Sequence, residues 1–125
     1  MSYTGALRDW RGSPAYCSGD DTRIVIRKGP GSGHVVPLSA ARVTIGRAGE
    51  SDISLQGDWC ASRRHCEMLR RGNHWSIVDV GSTNGTLVNG RPISRPTVLQ
   101  DGDIVSVGMS EFVILSPDER QALIA

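Results

Sequence analysis

Between Thr22 and Leu115 the chain never extends far before it meets a turn signal, and this spacing constrains the fold more than any other feature. Segments 22–27, 34–37, 42–45, 53–55, 66–70, 74–79, 86–88, 97–99, 103–107 and 111–115 are short and rich in β-branched or aromatic residues. Several alternate apolar with polar at period two, and Gly, Pro, Asn or Asp separates nearly all of them. Strands this short and this regularly interrupted predict an all-β sandwich or barrel. The first two segments flank Lys28-Gly29-Pro30-Gly31-Ser32-Gly33, a turn cluster that makes them a hairpin. No long amphipathic helix is found; residues 118–123, after Pro117, could form one short terminal turn.

The run from Gly81 to Gly90 holds two Asn-Gly dipeptides, Asn84-Gly85 and Asn89-Gly90. Both tolerate positive φ, so the chain is expected to reverse twice there, presenting Thr83 and Asn84 on a stiff tip. This stretch contains no acid, no base and no nucleophile with a partner beside it, which suits binding better than catalysis.

At 125 residues the chain fits one domain with an ordinary core. Three parts are expected: a flexible segment 1–21 rich in Gly, Ser, Asp and Pro, a folded unit 22–116, and a tail 117–125. A formal charge of +1 sets up no field strong enough to argue for nucleic acid or an anionic membrane. No apolar run reaches membrane-spanning length and the N-terminus lacks a secretory pattern, so a cytoplasmic location without membrane insertion is the default expectation. Cys17, Cys60 and Cys66 are odd in number and are expected to be free thiols. Lys28 is the only lysine; the other basic residues are arginines, whose planar fork suits phosphate.

In a sandwich the loops at one end make the site. Arg47 closes a strand whose Val43 and Ile45 face inward, so its guanidinium can project from the sheet edge. Ser62 and Arg63, just before the segment that begins at Cys66, add a hydroxyl, a backbone N–H and a second guanidinium. These groups are donors at the points where an anion would sit.

Gly46-Arg47, then Ser62-Arg63-x-His65 fifteen residues on, then Ser82-Thr83-Asn84-Gly85-Thr86 with Asn89-Gly90, and finally Asp101-Gly102-Asp103-Ile104 with Val107-Gly108 resemble a forkhead-associated (FHA) domain over residues 22–116. No single piece is specific; their order and spacing together are. The resemblance implies an eleven-stranded β-sandwich that binds phosphothreonine peptides through loops at one end, with no cofactor and no catalytic residue. Carried onto this chain, Arg47 and Ser62 would hold the phosphate with Arg63 and Thr83 beside them. Asn84 would bond the peptide main chain, and Gly46, His65 and Gly85 would be structural. The implied partners are a phosphothreonine-containing protein or peptide and a serine/threonine kinase. The chain departs from the common pattern at Ser51-Asp52-Ile53, where Asn-Asp-Ile is usual, and at Gly49-Glu50, which brings an acid close to Arg47 and could favour a basic peptide.

Other readings of the same residues are weaker. Ser62, His65 and Asp79 could be arranged as nucleophile, base and orienter, but no strand–turn–helix elbow accompanies them. Cys60, Cys66, His65 and His74 show no C-x-x-C pair and match no common zinc spacing. Cys66 and Trp75 read as core, while Trp59, in the loop leading to Ser62, would reach a bound peptide if exposed. Two rival functions are a phosphate-independent protein-interaction scaffold and a nucleic-acid binder using Arg63, Arg64, Arg70, Arg71, Arg91 and Arg95; stacking aromatics are few for the latter. A further expectation concerns Thr4, which a kinase could phosphorylate so that the N-terminal segment folds back onto the domain's own site.

Overall fold

The alternating apolar residues of the short segments are buried where two sheets face one another, the sandwich rather than the barrel, in a computed structural model described here over residues 22–116. Eleven strands form: β1 (Arg23–Lys28), β2 (Val35–Pro37), β3 (Arg42–Gly46), β4 (Ile53–Ser54), β5 (Cys66–Arg71), β6 (His74–Asp79), β7 (Thr86–Val88), β8 (Arg91–Pro92), β9 (Thr97–Leu99), β10 (Ile104–Val107) and β11 (Ser110–Leu115). A six-stranded sheet runs in the order β2-β1-β11-β10-β7-β8, and a five-stranded sheet in the order β4-β3-β5-β6-β9. β3 and β4 pair in parallel and the other pairs are antiparallel. The expected segment 1–21, with Thr4 and Cys17, and the tail 117–125, with its terminal turn, lie outside the described residues.

Period-two patterning becomes the core directly. Ile24 and Ile26 of β1, Val105 and Val107 of β10, and Phe112 and Ile114 of β11 point inward from one sheet. Val43 and Ile45 of β3, Cys66 and Met68 of β5, and Trp75 and Ile77 of β6 meet them from the other. Burial pushes the Cys66 thiol up to about 12 against the opposing effect of a hydrogen bond with Thr86, so it stays protonated and inert at neutral pH.

Two sequence expectations need correction. Only Asn89-Gly90 reverses the chain as a two-residue hairpin loop: Asn89 (φ 52°) and Gly90 (φ 82°) both take the left-handed region and join β7 to β8. At Asn84-Gly85 the glycine alone has positive φ (84°), and the chain crosses there from β6 in one sheet to β7 in the other. Strand β8 carries no period-two signal, because Arg91–Pro92 is only two residues, both exposed; the turn before it and the pairing of Val88 with Arg91 create it.

The topology gathers the segments after β3, before β5 and after β6 at one end of the sandwich. The β5–β6 turn and the Asn89-Gly90 turn lie at the other. Arg63 and Arg64 therefore stand at one end of β5 and Arg70 and Arg71 at the other, about 20 Å apart at ordinary strand rise. Replacing Phe112, which is 1% exposed at the centre of β11, by alanine should cost about 3–5 kcal/mol. Urea unfolding followed by circular dichroism measures this.

Candidate functional site

Gly46 is the first element of the site. A Cβ at this position would collide with the backbone oxygen of Arg63 and lie 2.8 Å from its carbonyl carbon and 3.1 Å from the oxygen of Ser62. Its absence lets the end of β3 lie against the segment before β5. Two backbone bonds follow: Arg47 N–H to Ser62 O at 2.9 Å and Ala48 N–H to Arg63 O at 3.2 Å. Arg47 is thereby placed beside Ser62, and its Nε donates to Ala61 O at 3.1 Å. The remaining guanidinium nitrogens point to no carboxylate, and neither Arg47 nor Arg63 forms an ion pair among the described residues.

The third loop is brought in by His65, whose ring is fully buried. Ser62 N–H donates to its Nδ1 at 3.0 Å, and its Nε2 lies 2.8 Å from Gly85 O. An amide N–H can only donate and a carbonyl can only accept, so these contacts assign the Nε2–H tautomer. Both ring nitrogens are thus held by backbone, and none is left to act as a base toward Ser62. The Ser62 hydroxyl oxygen instead accepts Thr83 N–H at 3.0 Å, which leaves its own proton free to donate outward. Asn84 Nδ2 donates to Cys60 O at 2.8 Å, so its Oδ1 is free to accept from a bound main chain.

Two carboxylates clamp the loops from behind. Asp79 Oδ1 accepts the N–H groups of Gly81 and Ser82, both at 2.9 Å. Its Oδ2 accepts the hydroxyls of Ser82 (2.5 Å) and Thr86 (2.8 Å), while Ser82 Oγ accepts Gly85 N–H. Desolvation raises this carboxyl's pKa, but the four hydrogen bonds outweigh it and hold the value at about 2. Asp58 is fully buried and accepts Met109 N–H, Ser110 Oγ–H at 2.6 Å and Cys60 N–H at 3.1 Å. Desolvation opposes ionisation there too, and again the hydrogen bonds, led by that of Ser110, prevail and keep the carboxyl below the ordinary range. Neither clamp was singled out as such in the sequence, where an Asp in a turn is too common to stand out.

The result is an open cleft of about 430 Å³ lined by Arg47, Trp59, Cys60, Ala61, Ser62, Arg63, Gly81, Thr83 and Asn84. All five residues expected to touch a ligand lie in this one cleft, and Gly46, His65 and Gly85 form the framework behind it. Glu50 is elsewhere: it lines a separate groove of about 260 Å³ with Arg42, Ser51, Arg64 and Val80. Asp52, beside it, receives Thr44 N–H and Oγ1–H and holds the β3–β4 loop. Among the described residues no group of three or more His, Cys, Asp or Glu could hold a metal ion, and no helix is long and apolar enough to cross a membrane.

The two-sheet β-sandwich thus carries, on three loops at one end, a cleft lined by hydrogen-bond donors and without a carboxylate. The FHA domain model matches residues 43–108, more than half of the chain, and the chain belongs to that family. It is 40% identical over 93 residues to the oxoglutarate dehydrogenase inhibitor of Corynebacterium jeikeium, covering 74% of this chain and 63% of that protein. To the glycogen accumulation regulator GarA of Mycobacterium tuberculosis it is 41% identical over 93 residues, covering 74% and 56%. The chain spans less than two thirds of the length of these two curated relatives. Among solved structures, the FhaA FHA domain complexed with the intracellular domain of Rv3910 superposes with a TM-score of 0.64 at 34% identity, covering 73% of this chain and 98% of that one. An FHA domain from a structural and functional analysis of phosphothreonine-dependent interactions gives a TM-score of 0.65 at 33% identity, covering 74% and 95%.

Two outcomes follow from the clamps. The folded Asp79 carboxyl sits below its ordinary value, so its contribution, about 2 kcal/mol, is complete above roughly pH 4 and disappears as pH falls toward 2. Asp79→Asn should lower the melting temperature by about 10 °C at pH 7, with the gap to wild type closing near pH 2 in parallel thermal melts. Gly46→Ala keeps every cleft side chain but forces backbone apart; it should cost about 1–3 kcal/mol in stability and weaken ligand binding together, as read by melting and calorimetric titration.

Proposed function

We propose that this chain is a non-enzymatic phosphothreonine-recognition module, acting in the cytoplasm as an adaptor that couples a serine/threonine kinase to a partner protein. The observation that carries the reading is the convergence of Arg47, Ser62, Arg63 and Thr83 on one cleft with outward donors and no carboxylate among its lining residues. A phosphothreonine presents close to two negative charges and three acceptor oxygens, which guanidinium groups and hydroxyls can satisfy together. In this reading Arg47 and Ser62 hold the phosphate, Arg63 and Thr83 flank it, and Asn84 Oδ1 accepts a main-chain N–H of the peptide. Membership of the FHA family and likeness to a domain studied for phosphothreonine-dependent interactions support it. So do relatives named as a regulator and an inhibitor, names that point away from catalysis in this module.

Nucleic-acid binding is the poorer account, because the arginines it requires are split between the two ends of the sandwich. Arg42 faces Glu67 at 2.7 Å, and Arg27 and Lys28 face Glu111. Such an arrangement does not trace a phosphate backbone.

A charge-assisted hydrogen bond contributes about 1.5–3 kcal/mol, so Arg47→Ala should weaken phosphothreonine-peptide binding by about ten- to a hundredfold or more. Asn84→Ala should also lower affinity, with an unchanged circular dichroism spectrum. Calorimetric titration with phosphothreonine, phosphoserine and unphosphorylated versions of one peptide measures both; unchanged affinity in Arg47→Ala, or binding that survives phosphatase treatment, sinks the proposal.

A further inference from the structure

Trp59 lines the phosphate cleft, yet it is 79% exposed. An indole on a flexible loop would fold down onto the nearest apolar surface, but the loop carrying this one is fixed. Asp58, the preceding residue, is buried and bonded to Met109 and Ser110 across the sandwich, and the following residue, Cys60, is tied through its N–H to Asp58 and through its carbonyl to Asn84. Gly108 strengthens the anchor: a Cβ there would lie 2.7 Å from Ala61 N and from Asp58 Oδ1, so the β10–β11 turn and this loop touch at backbone distance. The backbone that carries the ring is therefore anchored on both sides. The Arg47 guanidinium carbon lies 5.4 Å from the ring centroid, within cation–π range.

We infer that Trp59 is a specificity residue of this cleft: one face of the indole aligns the Arg47 guanidinium, and the open remainder takes a bulky apolar side chain of the ligand close to the phosphothreonine. The inference rests on the phosphothreonine reading proposed above and adds the chemistry of the neighbouring ligand residue. With Arg47 bonded to the phosphate, the ring stands within about three residues of the phosphothreonine along an extended peptide. A basic ligand residue is disfavoured there, because Arg47 and Arg63 already supply positive charge without a carboxylate to offset it. An acidic one would find guanidinium groups but would lose contact with the ring. An aliphatic side chain meets a preordered apolar surface, which lowers the entropic cost of the contact.

The test uses a phosphothreonine peptide with alanine at the three positions on either side, six variants each carrying one leucine, and matching variants carrying lysine. Each is titrated against the wild-type chain, Trp59→Ala, Trp59→Phe and, as a control at an exposed apolar residue on the edge strand β9, Val98→Ser. Covering about half of a leucine side chain corresponds to roughly a tenfold gain in affinity at one of the six positions. That gain should fall below about twofold in Trp59→Ala, persist largely in Trp59→Phe and be unchanged in Val98→Ser, with lysine at the same position giving less than leucine. Loss of affinity for the all-alanine peptide in Trp59→Ala separately reads the alignment of Arg47. Leucine variants no tighter than the all-alanine peptide in the wild type, a leucine gain that survives Trp59→Ala, or a larger gain from lysine would overturn the inference. If the all-alanine phosphopeptide still binds in an Arg47-dependent way, those results overturn the role of Trp59 alone; if no phosphopeptide binds, the phosphothreonine reading fails first.

Discussion

The imidazole of His65 is the contact on which the cleft depends. It lies at zero exposure between two loops and joins Ser62 N–H to Gly85 O through its two nitrogens. Without it, two backbone polar groups behind the cleft would be left without partners, at a cost of about 1–3 kcal/mol each. The Ser62 and Thr83 segments, which share the bond from Thr83 N–H to Ser62 Oγ, would then lose their common support. A residue that from sequence alone could be read as a catalytic base is, in its surroundings, a strut with no free nitrogen.

Around that strut the molecule uses ionised carboxylates as loop anchors, keeping them out of the cleft itself. Asp79 and Asp58 each collect several N–H and O–H donors, and in each case those bonds outweigh the desolvation that opposes ionisation. Negative charge placed behind the loops orders backbone donors, whereas negative charge inside the cleft would repel an anion. The division of labour explains how a chain with 14 basic and 13 acidic residues can offer a locally cationic surface without a large net charge.

Much of this was legible in the sequence because period-two patterning and turn residues are local signals. Ten of the eleven strands follow from them, as do the inward positions of Val43, Ile45, Cys66 and Trp75. The order of Gly46-Arg47, Ser62-Arg63-x-His65 and Thr83-Asn84-Gly85 carried the family, and with it the expectation that three distant loops meet. What stayed hidden depends on partners far apart in the chain. β8 exists through its turn and its neighbour β7, with no apolar pattern of its own. Asp58 is 51 residues from Met109, and no local motif announces that pairing. Likewise Glu50 stands close to Arg47 in sequence, yet the β3–β4 loop carries it to the groove shared with Arg64 and Val80.

Gly46 and Trp59 constrain the cleft in different ways. Gly46 is fixed by backbone-to-backbone contact: any side chain there separates Arg47 from Ser62, whatever ligand is bound. Trp59 makes no backbone demand, since its neighbours Asp58 and Cys60 already hold the loop, and its ring is free to change without disturbing that anchor. Residues of the first kind fix the backbone of the cleft, and residues of the second kind vary the surface it presents. With the exposed indole set against Arg47, the arginine proposed to hold the phosphate, affinity and selectivity should change together when this position is altered.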